Sequence, residues 1–363
     1  MSAALAPWLL APLAQALQTT RGHALLIHGP RGVGQFELAL ALAAAWLCEG
    51  EPETRPSGQA CGVCGACRLI AARTHPDLLV LVPEALQQTL GWSATEEAVD
   101  GEGGKGRKPS KEIRVEAVRA AVAFAQKTST RGGAKVSVLY PAERINATSA
   151  NMLLKTLEEP PGRARFILAG AAPQQLLPTV RSRCQALRLP LPPQQAAIEW
   201  LEAECVSQPD VLLATAGGAP LEALERLALG VTAETWLRLP REVQAGQSAT
   251  LAAWPLPVAI DALQKLCHDA LAAAVGAAPR YFGALSVPAA GDVAQLTACG
   301  AVLRGEMRHA EHPWNAALGV EALVQQLRRA MQPATLATTL PQVARSSTLR
   351  RAAGQSPVDT LKP

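Results

Sequence analysis

Ala24-Leu25-Leu26-Ile27-His28-Gly29-Pro30-Arg31-Gly32-Val33-Gly34-Gln35-Phe36 is the stretch on which the fold turns. Ala24 to His28 reads as a short buried strand, Gly29 to Gly34 as a glycine loop, and the alanine- and leucine-rich run Gln35 to Leu47 as a helix. In a strand, glycine loop, helix unit, backbone N–H groups at the helix start can cradle phosphate oxygens. The frame is G-x-x-x-x-G-K-[ST], with Gln35 in the lysine place and Phe36 in the Ser/Thr place. Lysine neutralises the β- and γ-phosphates and the hydroxyl ligands magnesium; a neutral amide and a phenyl ring do neither. Gly29, Gly32, Gly34, Gln35 and Phe36 therefore make a degenerate phosphate loop, and ATP is not expected to bind productively.

Working outward, Leu78 to Val82, Val136 to Tyr140 and Phe166 to Ala169 read as further strands. Val115 to Lys127 and Ser149 to Glu158 read as helices between them. This alternation predicts a mainly parallel sheet with helices on both faces. The third strand carries a second lesion. Val138-Leu139-Tyr140-Pro141-Ala142-Glu143 has Tyr140 and Pro141 where D-E-x-[DH] would hold Mg²⁺ and activate water, so only Glu143 remains of a degenerate Walker B motif.

Leu9, Leu13 and Leu17 recur at helical spacing ahead of the first strand, and no basic residue precedes Arg21, so no secretory signal is expected. Gly91 to Lys111 is rich in Gly, Glu and Lys without periodicity and reads as an inserted loop. Pro190, Pro192 and Pro193 mark a boundary, beyond which residues 194 to about 340 read as all-helical. Gly217-Gly218-Ala219-Pro220 divides a small helical segment from a larger one, and the end, Arg345 to Pro363, has no apolar face. The expected organisation is 1–189, 190–230, 231–340 and a tail 341–363.

Cys61-x-x-Cys64-x-x-Cys67 is a tight triple, and Cys48 can supply a fourth thiolate. Four thiolates suit a closed tetrahedral structural zinc site, with Gly62 and Gly65 placed where such knuckles often need positive φ. Redox thiols or an iron–sulfur cluster are the alternatives. Cys205, Cys267 and Cys299 are isolated and read as core residues.

The 363 residues are 49% hydrophobic, ample for several cores, but only 4% aromatic and 18% charged. A formal charge of +4 with no Lys/Arg run longer than a pair falls short of a phosphate-binding face, which disfavours a zinc-dependent DNA-binding module. The longest apolar run, Leu38 to Cys48, is too short to span a bilayer, so no membrane partner is expected.

Asn151-Met152-Leu153-Leu154-Lys155-Thr156-Leu157-Glu158-Glu159-Pro160-Pro161, with Arg181-Ser182-Arg183-Cys184 downstream, resembles the clamp-loader branch of the AAA+ proteins. Four cysteines after a degraded loop, followed by Thr74-His75-Pro76-Asp77, place the likeness with a non-motor subunit of the bacterial DNA polymerase III clamp loader. The resemblance implies an α/β AAA+ P-loop domain with an inserted zinc knuckle, then a small helical lid and an all-α collar. It also implies a cytoplasmic, replisome-associated heteropentameric ring with gamma/tau motor subunits and delta, which loads the sliding clamp onto primed DNA at the expense of ATP. In that ring Arg183, positioned by Ser182 and Cys184, would be an arginine finger acting in trans on a neighbour's γ-phosphate. The chain would be no enzyme in isolation, only a component of the DNA-directed DNA polymerase holoenzyme; an active motor ATPase is the alternative. Gly170-Ala171 and Leu221 stand where motor subunits carry phosphate-sensing residues, and the span from Cys48 to Cys61 is longer than usual. Arg163 and Arg165 would face a neighbour or solvent, and Lys155 would bridge to Glu158 or Glu159.

Overall fold

The structure, a computed structural model, describes residues 5–51, 53, 55–92, 109–283, 287, 291–310 and 315–332. The expected inserted loop falls mostly on residues 93–108, outside the described residues, as does the whole tail. Where the chain is described again, Ser110 rejoins the fold by donating its N–H to Glu84 and accepting that of Ala85.

Five strands form one all-parallel sheet: β1 (Ala24–His28), β2 (Leu78–Leu81), β3 (Lys135–Leu139), β4 (Ala164–Gly170) and β5 (Gln185–Arg188), in the order β2-β3-β4-β1-β5. Strands covered on both faces read as continuous apolar runs, and successive side chains point to opposite faces. Leu25 and Ile27 of β1, Val136 and Val138 of β3 and Ile167 of β4 enter the core beneath α1 (Pro7–Thr19) and α2 (Gln35–Leu47). Leu26, Leu139, Phe166 and Leu168 enter the opposite core, beneath α5 (Val115–Gln126) and α6 (Ala147–Glu158). Between these helices the chain forms α3 (Gly65–Ala71) and α4 (Glu84–Leu90). Asn146 starts α6 by accepting the N–H of Ser149 at 2.9 Å, and Pro160-Pro161 stops it.

After α7 (Pro178–Arg181) and β5, every described element is helical. Ala197 and Leu201 of α8 (Gln194–Ala203), Leu212 and Leu213 of α9 (Pro209–Thr215) and Ala223 of α10 (Pro220–Ala228) share one small core. Gly217 and Gly218 form the turn between α9 and α10, two helices of this one core, so the break expected there links helices of the same small segment. A larger core is built by α11 (Ala233–Gln244), α12 (Ala249–Ala252), α13 (Leu256–Ala274), α14 (Val293–His309) and α15 (Ala316–Ala330), around Trp236 stacked on Phe282. No helix among the described residues is long and apolar enough to cross a membrane.

Candidate functional site

The glycine loop is held on three sides by the chain itself. From α1, Trp8 Nε1 donates to Val33 O at 2.9 Å, and Leu9 lies so close beneath Gly34 that a Cβ there would sit 2.6 Å from it. From within, the Gln35 side-chain amide donates to Gly29 O at 2.8 Å and Pro30 O at 2.7 Å. The group in the lysine place is thus bonded to the loop's own carbonyls. From above, α10 docks by Leu221 N to Gly32 O at 3.1 Å, while Arg31 bridges to Glu222 at 2.8 Å and Glu225 at 2.7 Å. The chain of charges then continues inward. Glu222 reaches the buried Arg226 at 3.2 Å, Arg226 reaches Asp261 at 2.7 Å, and Asp261 reaches Lys265 at 2.6 Å, joining loop, α10 and α13.

Gly32 has φ +73°, and a Cβ there would lie 2.4 Å from Glu222 Cβ and 2.5 Å from Glu222 N. Gly32→Ala is therefore expected to cost at least ~2 kcal/mol, because both the backbone and the docked helix must yield. An unchanged melting temperature would disprove this docking.

Phe36, in the Ser/Thr place, packs on Tyr140, in the place of the first acid, with ring centroids 4.9 Å apart. Burial, then the Glu37 carboxylate, pushes the Tyr140 phenol up, so it stays protonated. Glu143, in the short turn Ala142–Arg144 after β3, accepts the N–H of Ala171 at 3.1 Å and lies where a Cβ on Gly170 would stand, which binds the one remaining acid of the motif to the end of β4.

Arg183 follows α7 at the other end of the sheet's helical cover. Its Nε donates to Glu158 Oε1 at 2.6 Å, Nη2 meets the same oxygen, and Nη1 donates to Thr179 O at 2.7 Å. Ser182 Oγ also donates to Thr179 O, at 3.1 Å, and burial pushes the Cys184 thiol up to about 11. Glu158 thus pairs with Arg183 and not, as the helical spacing suggested, with Lys155. Arg165 lies over the Trp46 ring at 4.4 Å, whereas Arg163 is exposed.

The sulfurs of Cys48, Cys61, Cys64 and Cys67 lie within 4.8 Å of one another, with Cys48–Cys64 and Cys61–Cys67 both at 3.9 Å. Four sulfurs about 2.3 Å from one tetrahedral ion would be about 3.8 Å apart, so this donor set fits a closed metal site. Backbone N–H groups already point at the sulfurs: Gly50 and Cys61 at Cys48, Cys64 at Cys61, and Cys67 at Cys64, between 3.3 and 3.4 Å. Gly62 has the expected positive φ of 75°, but Gly65 opens α3 instead.

Thr74-His75-Pro76-Asp77 braces this module. Burial would raise the Asp77 carboxyl, yet the Thr130 N–H, the Lys135 ammonium, the Arg131 N–H and the Ser129 hydroxyl outweigh it and hold it at about 2. The loop so fixed sends Arg131 to Glu49 with two bonds, 2.6 and 3.0 Å, and Glu49 accepts the N–H of Ala66 beside the cysteines. Cys267 and Cys299 are buried as expected, but Cys205 is exposed on a turn with φ +60°, which no apolar partner requires.

Glu222, Glu225 and Trp8 were not singled out from the sequence, and Glu158 was read only as a partner for Lys155. The contacts of Glu222 and Glu225 with Arg31, of Trp8 with Val33 and of Glu158 with Arg183 each cross 25 or more residues, so no local spacing marks them.

A family model described as DNA polymerase III, delta subunit matches residues 8–193. DNA polymerase III subunit delta' of Pseudomonas aeruginosa is 40% identical over 231 residues, 61% of this chain and 62% of that protein. The alignment therefore spans about three fifths of that relative's length. Subunit delta' of Escherichia coli is 34% identical over 282 residues, 71% of this chain and 76% of that one. Among solved structures, a DNA polymerase III gamma subunit-related protein of Thermotoga maritima covers 89% of this chain and 99% of its own at 15% identity, with a TM-score of 0.46. The family model over residues 8–193 and the two delta' relatives lead to one conclusion, with which the parallel sheet, its glycine loop and the four clustered cysteines agree: the chain belongs to the family of DNA polymerase III delta-prime subunits.

Proposed function

We propose that this chain is an ATPase-degenerate subunit of the DNA polymerase III clamp loader, which helps a heteropentameric ring load the sliding clamp onto primed DNA. Its partners are gamma/tau motor subunits and delta. The observation that carries the reading is the pairing of a self-filled phosphate loop with an intact Ser182-Arg183-Cys184 triplet. The groups in the lysine and hydroxyl places are bonded or packed within the chain, whereas Arg183 keeps a partly exposed guanidinium at a helix end. Such a fork neutralises charge developing on a phosphoryl group without needing a nucleotide of its own.

Residues 190–230 form the lid and 231–340 the collar through which the ring assembles. The Cys48, Cys61, Cys64 and Cys67 thiolates hold a structural zinc ion, which keeps the segment from 48 to 67 folded and supplies no reaction chemistry.

The test is a reconstituted ring carrying Arg183→Ala. The variant should fold and assemble like the parent, while hydrolysis at the site shared with its neighbour is lost and the ring's DNA-stimulated ATPase falls by that site's share. Unchanged ATPase would refute the role in trans. In calorimetry with Mg²⁺, the purified chain should give no ATP-binding heat; micromolar binding would favour the motor reading.

A further inference from the structure

Arg183 offers five N–H donors, one on Nε and two on each terminal nitrogen. Glu158 Oε1 takes the Nε donor and one on Nη2, and Thr179 O takes one on Nη1. The remaining approach, Nη1 to Ser182 Oγ, is long at 3.5 Å. One N–H on Nη2 is therefore left for an outside acceptor, and the Nη1 N–H held only by this long bond can turn to join it, so that two adjacent donors meet two oxygens of a phosphoryl group.

Glu158 stands at an electrostatically poor place for an acid. It is the last residue of α6, where exposed carbonyls make the helix end negative, and Glu159 and the two prolines follow. A carboxylate there is disfavoured by the helix and gains from a cation brought to it. Thr179 O, in the single turn of α7, supplies a second negative contact to the same guanidinium. The side chain of Arg183 is thus fixed at both its inner edge and one terminal nitrogen before any partner arrives.

We propose that Glu158 is the positioning residue of Arg183: it grips the Nε edge, fixes the guanidinium plane and leaves the terminal N–H pair to a phosphoryl group bound by the adjoining subunit. This rests on the reading of Arg183 as a finger in trans. An arginine held in advance loses less rotamer freedom when the phosphoryl group is met, so the effect belongs to the turnover step more than to nucleotide capture.

The experiment compares reconstituted rings in which this subunit carries Arg183→Ala, Glu158→Gln, Glu158→Asp or Arg183→Ala with Glu158→Gln, measuring DNA-stimulated kcat and the KM for ATP. Glu158→Gln should produce at least half of the kcat loss that Arg183→Ala produces, with KM unchanged within about twofold. Glu158→Asp should recover part of that loss, and Glu158→Gln should add nothing once Arg183 is alanine. A kcat for Glu158→Gln equal to or above that of the parent, in rings where Arg183→Ala lowers it, overturns the positioning role and leaves the finger standing. A further loss in the double variant likewise overturns it, since Glu158 would then act by another route. If Arg183→Ala itself leaves kcat unchanged, the trans reading fails, and the positioning role fails with it.

Discussion

On the proposed reading of the cysteine cluster as a zinc site, Cys64→Ser is expected to abolish metal binding and to lower the melting temperature of the chain by roughly 6–12 °C. Cys64 is the hinge of the site. Its sulfur lies 3.9 Å from that of Cys48 and accepts the Cys67 N–H that starts α3, so one substitution removes a ligand and a helix cap together. Structural zinc in small peptides is worth ~10–16 kcal/mol of apparent binding free energy, inseparable from folding. Here Glu49, Arg131 and Asp77 also anchor the module, so only part of that figure should appear as lost stability. About 3 kcal/mol, at roughly 2–4 °C per kcal/mol for a unit of 150–250 residues, gives the stated range. Metal content by elemental analysis and a melting curve with and without chelator decide it. The parent should lose stability to chelator and Cys64→Ser should not respond. A variant that retains one metal ion per chain would remove Cys64 from the ligand set.

Asp261→Ala should cost about as much by a different route. Asp261 lies between the buried Arg226, at 2.7 Å, and the largely covered Lys265, at 2.6 Å. Breaking a buried pair by removing one partner typically costs ~3–5 kcal/mol, because an uncompensated charge is left behind. Arg226 keeps Glu222 and Lys265 keeps Thr215 O, which favours the lower end of that range. Exposed pairs behave differently: Arg238, more than half exposed and pairing with Glu234, should cost no more than ~1 kcal/mol as alanine. The pH dependence separates charge from packing. Burial already pulls the Lys265 ammonium below its ordinary value, and loss of Asp261 lowers it further. A lysine whose folded value lies below its unfolded value, about 10.4, makes stability rise with pH between the two. The deficit of Asp261→Ala should therefore shrink as pH rises toward that value; a deficit independent of pH would mean that packing, not charge, is what Asp261 contributes.

The stretch from Ala24 to Leu47 was legible to the residue, because glycines punctuate it and its apolar residues can be buried only as strand and helix. Asn146 and Pro160 bound α6 by cap and stop rules, and the helix gains only two residues over its expected start at Ser149. β5 was not legible. Only Leu187 of Gln185–Arg188 is buried, so this edge strand carries neither an apolar run nor an alternation. The cysteine site was readable from its spacing, since Cys-x-x-Cys turns converge locally. The contacts that dock α10 on the phosphate loop were not, because Glu222 and Glu225 meet Arg31 from nearly two hundred residues away and reach it only through tertiary packing.

The packing of Phe36 on Tyr140 also bears on how such a loop could ever be restored. A serine at position 36 alone would leave a hole beside the tyrosine ring, and replacing a buried phenyl group by a small side chain costs on the order of 3–5 kcal/mol. An aspartate at position 140 alone would bury a carboxylate against a phenyl face with no metal to receive it. Lysine at position 35 alone would still face the carbonyls of Gly29 and Pro30, now bonded to Gln35. The changes at positions 36 and 140 each lower stability before any chemistry returns, so selection for folding opposes either as a first step. On the proposed reading of the loop as ATPase-degenerate, the two touching rings act as an evolutionary ratchet: exchanging either ring alone for the motif residue costs folding stability before it restores any phosphate chemistry.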